Sequence, residues 1–260
     1  IFAFGLLLFI FSFVILFSLF FSLFLVFFVS YSTAGHACPP GAENRIDFYP
    51  TASQLPENLL RIYIYYPRPM AVTEGQQHVA LLDAQGQRVN GAFLATNQEL
   101  WSPARSRLTL LLDPGRVKSG LVAHEALGRA LEPGQSYALV VSGAAKDAQG
   151  CALGQDVTHS FSVTEADYET PDPAAWSLTA PRLGSMDPLR VDLGSTHDHL
   201  SMAYRLRVVD DEAEVVPGSI GLGPDETTWL FTPRRPWSDA SYSVAIDQRL
   251  EDLAGNRPGV

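Results

Sequence analysis

His197-Asp198-His199 is the densest group of possible metal ligands in the chain. On an extended strand the two imidazoles would share a face, as a metal pair requires. The triplet falls at a corner between strands with no third ligand close by, so a solvated loop without metal is expected. Asp147, Glu251, Asp252 and Asn256 offer the oxygen donors that calcium takes. An aspartate heading an Asp-x-x-Gly turn has a simpler task, which is to accept from the backbone amides ahead of it. On that reading Asp83, Gly86, Asp147, Gly150, Asp252, Gly255 and Asn256 are structural turn residues, with no metal among them.

No Gly-x-Ser-x-Gly elbow, His-Glu-x-x-His helix, phosphate-cradling glycine loop or cysteine cluster occurs. Ser, His and Asp are present, but no spacing orders them as a triad. The expectation is therefore no catalytic residue, no cofactor and no enzyme. Trp101, beside Ser102-Pro103, and Trp237, after Pro236, read as exposed platforms on which a sugar ring could stack, whereas Trp176 and Trp229 lie in strand patterns and read as core. Arg116, Lys118, His124 and Arg129 make a basic set within residues 115–130. Trp101, Arg116, Lys118, His124, Arg129 and Trp237 are thus the possible binding surface, for a cell-surface glycan or an envelope protein. Pairing with nearby carboxylates is the plainer use of those cations.

A repeat positions these residues. Ser136–Gly150 and Ser241–Asn256 each open an alternating apolar run with a tyrosine and close it with an Asp turn. Tyr137, Asp147 and Gly150 have the spacing of Tyr242, Asp252 and Gly255. Leu60 to Tyr66 alternates apolar residues with Arg61, Tyr63 and Tyr65, the pattern of a half-buried strand. Further runs follow at Val79 to Leu82, Arg88 to Leu94, Leu100-Trp101, Arg107 to Leu112 and Val157 to Val163. Aligning Pro114 with Pro233 sets Leu110 against Trp229 and Leu112 against Phe231 as core positions. It also leaves residues 115–130 holding an insertion of about 14 residues, long enough for a helical turn or two. Trp176 to Thr179, Leu189 to Leu193, Tyr204 to Val209, Thr227 to Thr232 and Tyr242 to Asp247 give five strands in the second copy.

The fold class expected is all-β, as two tandem β-sandwiches over residues 45–170 and 171–260, divided at the stiff Thr170-Pro-Asp-Pro173 joint. After Asn256 the second copy has no run to match Val157 to Val163. The expectation is a missing last strand and an exposed sheet edge.

Leu60-Arg-Ile-Tyr-Ile-Tyr-Tyr-Pro-Arg-Pro-Met70, the Leu-Thr-Leu-Leu-Leu-Asp-Pro-Gly run and Tyr-x-Leu-x-Val followed by Asp-x-x-Gly resemble the bacterial Ig-like domains of the S-layer SbsA type. The likeness covers residues 45–260. It departs where Tyr65-Tyr66 replaces Phe-Ser and where the first Asp turn lacks an Ala-Gly-Asn ending. The resemblance implies immunoglobulin-like sandwiches and says little about activity. In such a sandwich the start of the first strand and the last hairpin share a pole, which would let Cys38 meet Cys151, the two cysteines of the chain. A bridge closing that loop would contribute about 4 to 5 kcal/mol in the chain-entropy account. Lipidation of Cys38 is the alternative, against which stand Gly35 and His36 in the lead to that cysteine.

Residues 1–30 carry no charge and hold eleven of the fifteen Phe. This is a signal peptide or a transmembrane helix, long enough to span a bilayer of about 30 Å. Residues 31–44 follow as a linker with small residues suited to cleavage. Either reading places the remainder outside the cytoplasm, with the membrane contacted through the N-terminal segment. The 18 Lys+Arg against 28 Asp+Glu, a net charge of −10, exclude nucleic acid as a natural partner. The function expected is a non-catalytic structural or spacer module of the bacterial cell envelope. The alternatives are an adhesion or carbohydrate-binding module, or accessory domains of an exported enzyme.

Overall fold

The computed structural model describes residues 15–22, 38, 45–72, 75–117 and 128–259. Residues 1–42 and residues 43–260 form two compact units. Of the apolar leader, residues 15–22 are helical, and the rest lies outside the described residues. Among the described residues no helix is long and apolar enough to cross a membrane.

The unit of residues 43–260 is mostly β and holds two apolar cores. In its first half, β1 (Asp47–Tyr49), β3 (Arg61–Tyr65), β6 (Arg107–Leu111) and β5 (Leu100–Trp101) form an antiparallel sheet in the order β1-β3-β6-β5. Facing it, β2 (Gln54–Pro56), β8 (Val157–Thr164), β7 (Ser136–Val141) and β4 (Val79–Leu82) run β2-β8-β7-β4, with β2 parallel to β8. Alternation decides the packing: Ile62 and Ile64 of β3, Leu108 and Leu110 of β6, Val79 and Leu81 of β4, and Tyr137, Leu139 and Val141 of β7 are all buried in one cluster. Filling the space between two sheets with such residues is what makes a sandwich stable.

The second half repeats this order. β9 (Ser177–Thr179), β10 (Leu189–Asp192), β13 (Thr228–Pro233) and β12 (Gly218–Leu222) run β9-β10-β13-β12, all antiparallel, as β1-β3-β6-β5 do. β11 (Leu206–Val209) pairs with β14 (Ser243–Ile246) as β4 pairs with β7. Trp229 and Phe231 of β13 are buried opposite Val191 and Leu189, the places that Leu108 and Leu110 hold opposite Ile64 and Ile62, so the register is two residues away from the one that aligning Pro114 with Pro233 gives.

Four turns share one geometry. Asp83 Oδ1 accepts from the amides of Gln85 and Gln87, Asp147 Oδ1 from Gln149 and Cys151, and Asp252 Oδ1 from Ala254 and Asn256. The glycine at the fourth position has φ of +75° at Gly86, +84° at Gly150 and +87° at Gly255. The fourth turn, Asp210 to Glu214, has the same bonds but carries Ala213 at φ 63°.

Several expectations need correcting. Residues 204 and 205 are not strand: the chain forms a helix over His199–Arg205 before β11 starts. Asp198 caps it by accepting from the Ser201 amide at 2.8 Å, and Ser201 and Met202 are buried. β12 had no visible pattern because two glycines and exposed side chains hide its alternation. Of the 115–130 insertion, Pro114–Val117 opens with one helical turn, while Lys118 and His124 lie outside the described residues. The outward face of β3 is not a solvent face, since Tyr63 is 2% exposed.

Candidate functional site

What covers Tyr63 is the second half, and the seam between the halves gathers several of the buried ionisable groups among the described residues, Asp198 and Glu226 foremost. The Tyr63 hydroxyl donates to Asp198 Oδ2 at 2.8 Å, and Arg61 Nε stands 3.4 Å from the same oxygen. Arg61 also pairs with Glu251, which Arg257 Nε contacts at 2.9 Å. Across the same face His199 packs on Tyr49, with ring centroids 3.7 Å apart and planes tilted by 31°, and lies 3.1 Å from the Tyr65 hydroxyl. At one margin the Glu226 carboxylate accepts from the Thr51 amide and hydroxyl at 2.8 and 2.9 Å. At another, Asn58 and Asn256 both donate to the Asp167 carbonyl and so pin the chain between the halves to each of them. The Asp252 turn is inserted as well: Leu60 N–H donates to the Leu253 carbonyl at 3.0 Å, and Leu253 joins the first half's core. A Cβ on Gly255 would lie 2.5 Å from Leu60 Cδ1, so glycine is needed there for space as well as for φ.

Burial governs the titration of these groups. Desolvation raises the Asp198 carboxyl, with Arg61, the Ser201 amide and Tyr63 pulling it back. Burial likewise raises Glu226 in spite of its Thr51 bonds, and raises Asp252. At Glu251 burial is outweighed by Arg257 and Arg61, and the carboxyl is lowered. His197 is lowered by burial, and His199 is lowered to about 4 by burial with help from Arg107. Two imidazoles whose neutral form burial favours and a set of hydrogen-bonded carboxylates form a joint, with His197 Nε2 and His199 Nδ1 buried without a hydrogen-bond partner.

The His-Asp-His triplet therefore splits into three tasks. His197 occupies the place of Met70: each forms an isolated bridge to its turn aspartate, Met70 to Asp147 and His197 to Asp252, and both are fully buried. Asp198 caps the helix and bonds Tyr63, and His199 packs on the tyrosines. Among the described residues no group of three or more His, Cys, Asp or Glu could hold a metal ion.

Of the proposed binding surface, Lys118 and His124 lie outside the described residues, and the other four each have neighbours of their own. Arg116 is 6% exposed, and its guanidinium donates to the carbonyls of Asn90, Gly128 and Arg129, so it clamps the ends of the insertion. Arg129 itself pairs with Glu57. Trp101 is half-buried on Tyr66 and over Gly75, with its indole N–H donating to Glu99 at 2.7 Å. Trp237 was expected to be exposed and is 6% exposed. Its ring packs between Phe231 and Tyr242, and its N–H donates to the Asp187 carbonyl. A groove of about 690 Å³ opens beside it, lined by Asp210, Asp211, Arg234, Arg235 and Tyr242. Trp229 is core as expected, and Trp176 is partly buried against the same cluster. Cys151 is buried, and both Cys38 and Cys151 are disulfide-bonded.

Sequence reasoning missed the seam. Tyr63, Arg61, Thr51 and Glu226 carry no local motif, and only the unusual crowding of polar aromatics on the outer face of β3 hinted that something covers it.

No family model matches the chain, and no curated protein matches it either. Among solved structures it is similar to native alpha-2-macroglobulin from Escherichia coli spanning domains MG0-NIE-MG1, at 9% identity and a TM-score of 0.29. That match covers 79% of this chain and 61% of the other. It is also similar to dimeric latent PorU from Porphyromonas gingivalis, at 13% identity and a TM-score of 0.26, covering 85% of this chain and 19% of that one. The chain thus spans less than two thirds of either protein.

Proposed function

We propose that residues 43–260 are a non-catalytic, extracytoplasmic module of two Ig-like sandwiches of the SbsA type, acting as a spacer that fixes distance and direction in a bacterial cell envelope. The observation that carries this reading is the seam. A spacer must resist bending at its joints, and here the joint is filled by Tyr63, Asp198, Arg61 and Glu251 and by an inserted turn. Relative motion is the ordinary behaviour of domains within one chain, and these bonds across the seam work against it. Export is supported by the uncharged leader and by cysteines in the disulfide state, which persists in oxidising compartments.

Spin labels on cysteines introduced at the exposed Gln85 and Glu212 test the reading. The expected result is one narrow distance distribution, broadened by Asp198→Ala. A broad distribution in the otherwise unaltered protein would rule out the spacer function.

A further inference from the structure

Arg207, Arg234 and Arg235 are exposed and form no ion pair among the described residues, in a chain whose net charge is −10. They gather at one place. Arg234 and Arg235 line the groove of about 690 Å³ beside Trp237, and Arg207 and Arg234 line a smaller hollow of about 270 Å³ that shares Val215, Val216 and Pro217 with it. Asp210 and Asp211 also line the groove, yet neither pairs with an arginine among the described residues. Asp210 Oδ1 accepts from the Glu212 and Glu214 amides, which leaves its other oxygen and the Asp211 carboxylate facing solvent. Charges of both signs held apart across a concavity of this size are the form a ligand site takes.

A difference between the halves opens the groove. Gly218 pairs with Pro233 and the Arg234 amide donates to the Pro217 carbonyl, as Phe93 bridges Leu112 and the Asp113 amide donates to the Ala92 carbonyl. The matching place in the first half is therefore the ground beside Ala92 and Asp113. There Arg116 turns inward and donates to the Asn90 carbonyl, and Ala130 and Leu131 at the end of the insertion are buried in the core. The second half passes from Arg235 to Tyr242 without an insertion, and the space stays open. Every residue that lines the groove falls between Asp210 and Tyr242, on the margin where β11 leads into β12.

We propose that this groove binds a carboxylated sugar, a uronate unit of an acidic polysaccharide. Arg234 and Arg235 present planar forks that match a carboxylate. Asp211 and the free oxygen of Asp210 accept from ring hydroxyls, and the hydrogen-bonded Ser238 and Tyr242 hydroxyls add a donor and an acceptor at the rim. Pro217, Pro233 and Val215 underlie the C–H face of the ring. The two carboxylates decide the class: a polymer dense in phosphate or sulfate would set its charges against Asp210 and Asp211, and a neutral sugar would make no use of the guanidinium groups. Trp237 is nearly covered by its neighbours, so recognition is by polar groups rather than by stacking on indole. The site is independent of the seam and of the spacer reading.

The test titrates the full chain with trimers of galacturonate, glucuronate and mannuronate and follows the arginine Nε–H signals by NMR. At least one trimer is expected to shift the Arg234 and Arg235 signals saturably, while the corresponding neutral trimers leave them in place. Replacing both residues, Arg234→Ala with Arg235→Ala, should weaken that binding by about tenfold or more, and Arg45→Ala, at an exposed arginine of the first half, should not change it. Both groove arginines are exposed and unpaired, so their removal leaves the fold intact. Failure of all three trimers to move the two signals would overturn the proposal, as would equal binding of a neutral trimer or binding that survives the double substitution. Equal or tighter binding of dextran sulfate or of triglutamate would overturn it too, by assigning the groove to a sulfated polymer or to an acidic peptide.

Discussion

Tyr63 on β3 and Asp198 at the head of the second half's helix share a 2.8 Å hydrogen bond, although 135 residues separate them. The same carboxylate caps that helix through the Ser201 amide, so one side chain both starts an element and holds the two halves together. Asp198→Ala removes the cap and leaves the Tyr63 hydroxyl buried without its partner, while Arg61 keeps Glu251. It should cost about 3 kcal/mol in denaturant unfolding. Tyr63→Phe should cost about 1 kcal/mol, and a double-mutant cycle should return a coupling of similar size.

The Asp210 turn carries strain that its three relatives avoid. Ala213 adopts φ 63° where they place glycine, and a Cβ in that region costs roughly 1 kcal/mol. Ala213→Gly should therefore raise stability, by less than that amount because glycine's added chain entropy offsets part of it, while Gly150→Ala should lower it. Thermal melts of the two variants would show opposite shifts.

His197 holds a core position that Met70 fills in the first half, and its Nε2 is buried without a partner. His197→Met should stabilise the protein by about 1 kcal/mol at pH 7. The gain should widen at pH 5. A histidine with a lowered folded pKa protonates first in the unfolded chain, so the native protein loses stability as pH falls below the unfolded value of about 6.5.

His199 follows the same sign over a window that can be stated. Its folded pKa of about 4 lies below the ordinary 6.5, so its contribution is full above pH 6.5 and is lost progressively down to about pH 4. Asp198 and Glu226, whose folded pKa values are raised, act in the opposite direction as pH falls from those raised values to their ordinary ones. Relative to His199→Phe, the native protein should lose about 2 kcal/mol between pH 7 and pH 4.5, read from chemical denaturation at a series of pH values.

The strands and turns were legible because they rest on local rules. A tyrosine, alternating apolar residues and an Asp-x-x-Gly turn specify β7 and β14 without help from distant parts of the chain. The Asp210 turn escaped notice because alanine stands where glycine marks the others. Helix His199–Arg205 was hidden because Asp198 reads as a loop residue until its partner amide is known. Trp237 and Arg116 were misplaced for one shared reason: proline neighbours and charge suggest exposure, while their burial depends on Phe231, Tyr242 and three carbonyls remote in sequence. The seam is the extreme case, since the bonds that join its two halves, such as Tyr63 to Asp198 and Thr51 to Glu226, link residues that no short window contains.

Scanning calorimetry of the full chain tests most directly whether the seam makes one body of two cores. The account predicts a single cooperative transition for residues 43–260, with calorimetric and van't Hoff enthalpies in agreement, and its division into two on Asp198→Ala. Two separate transitions in the unaltered protein would contradict it.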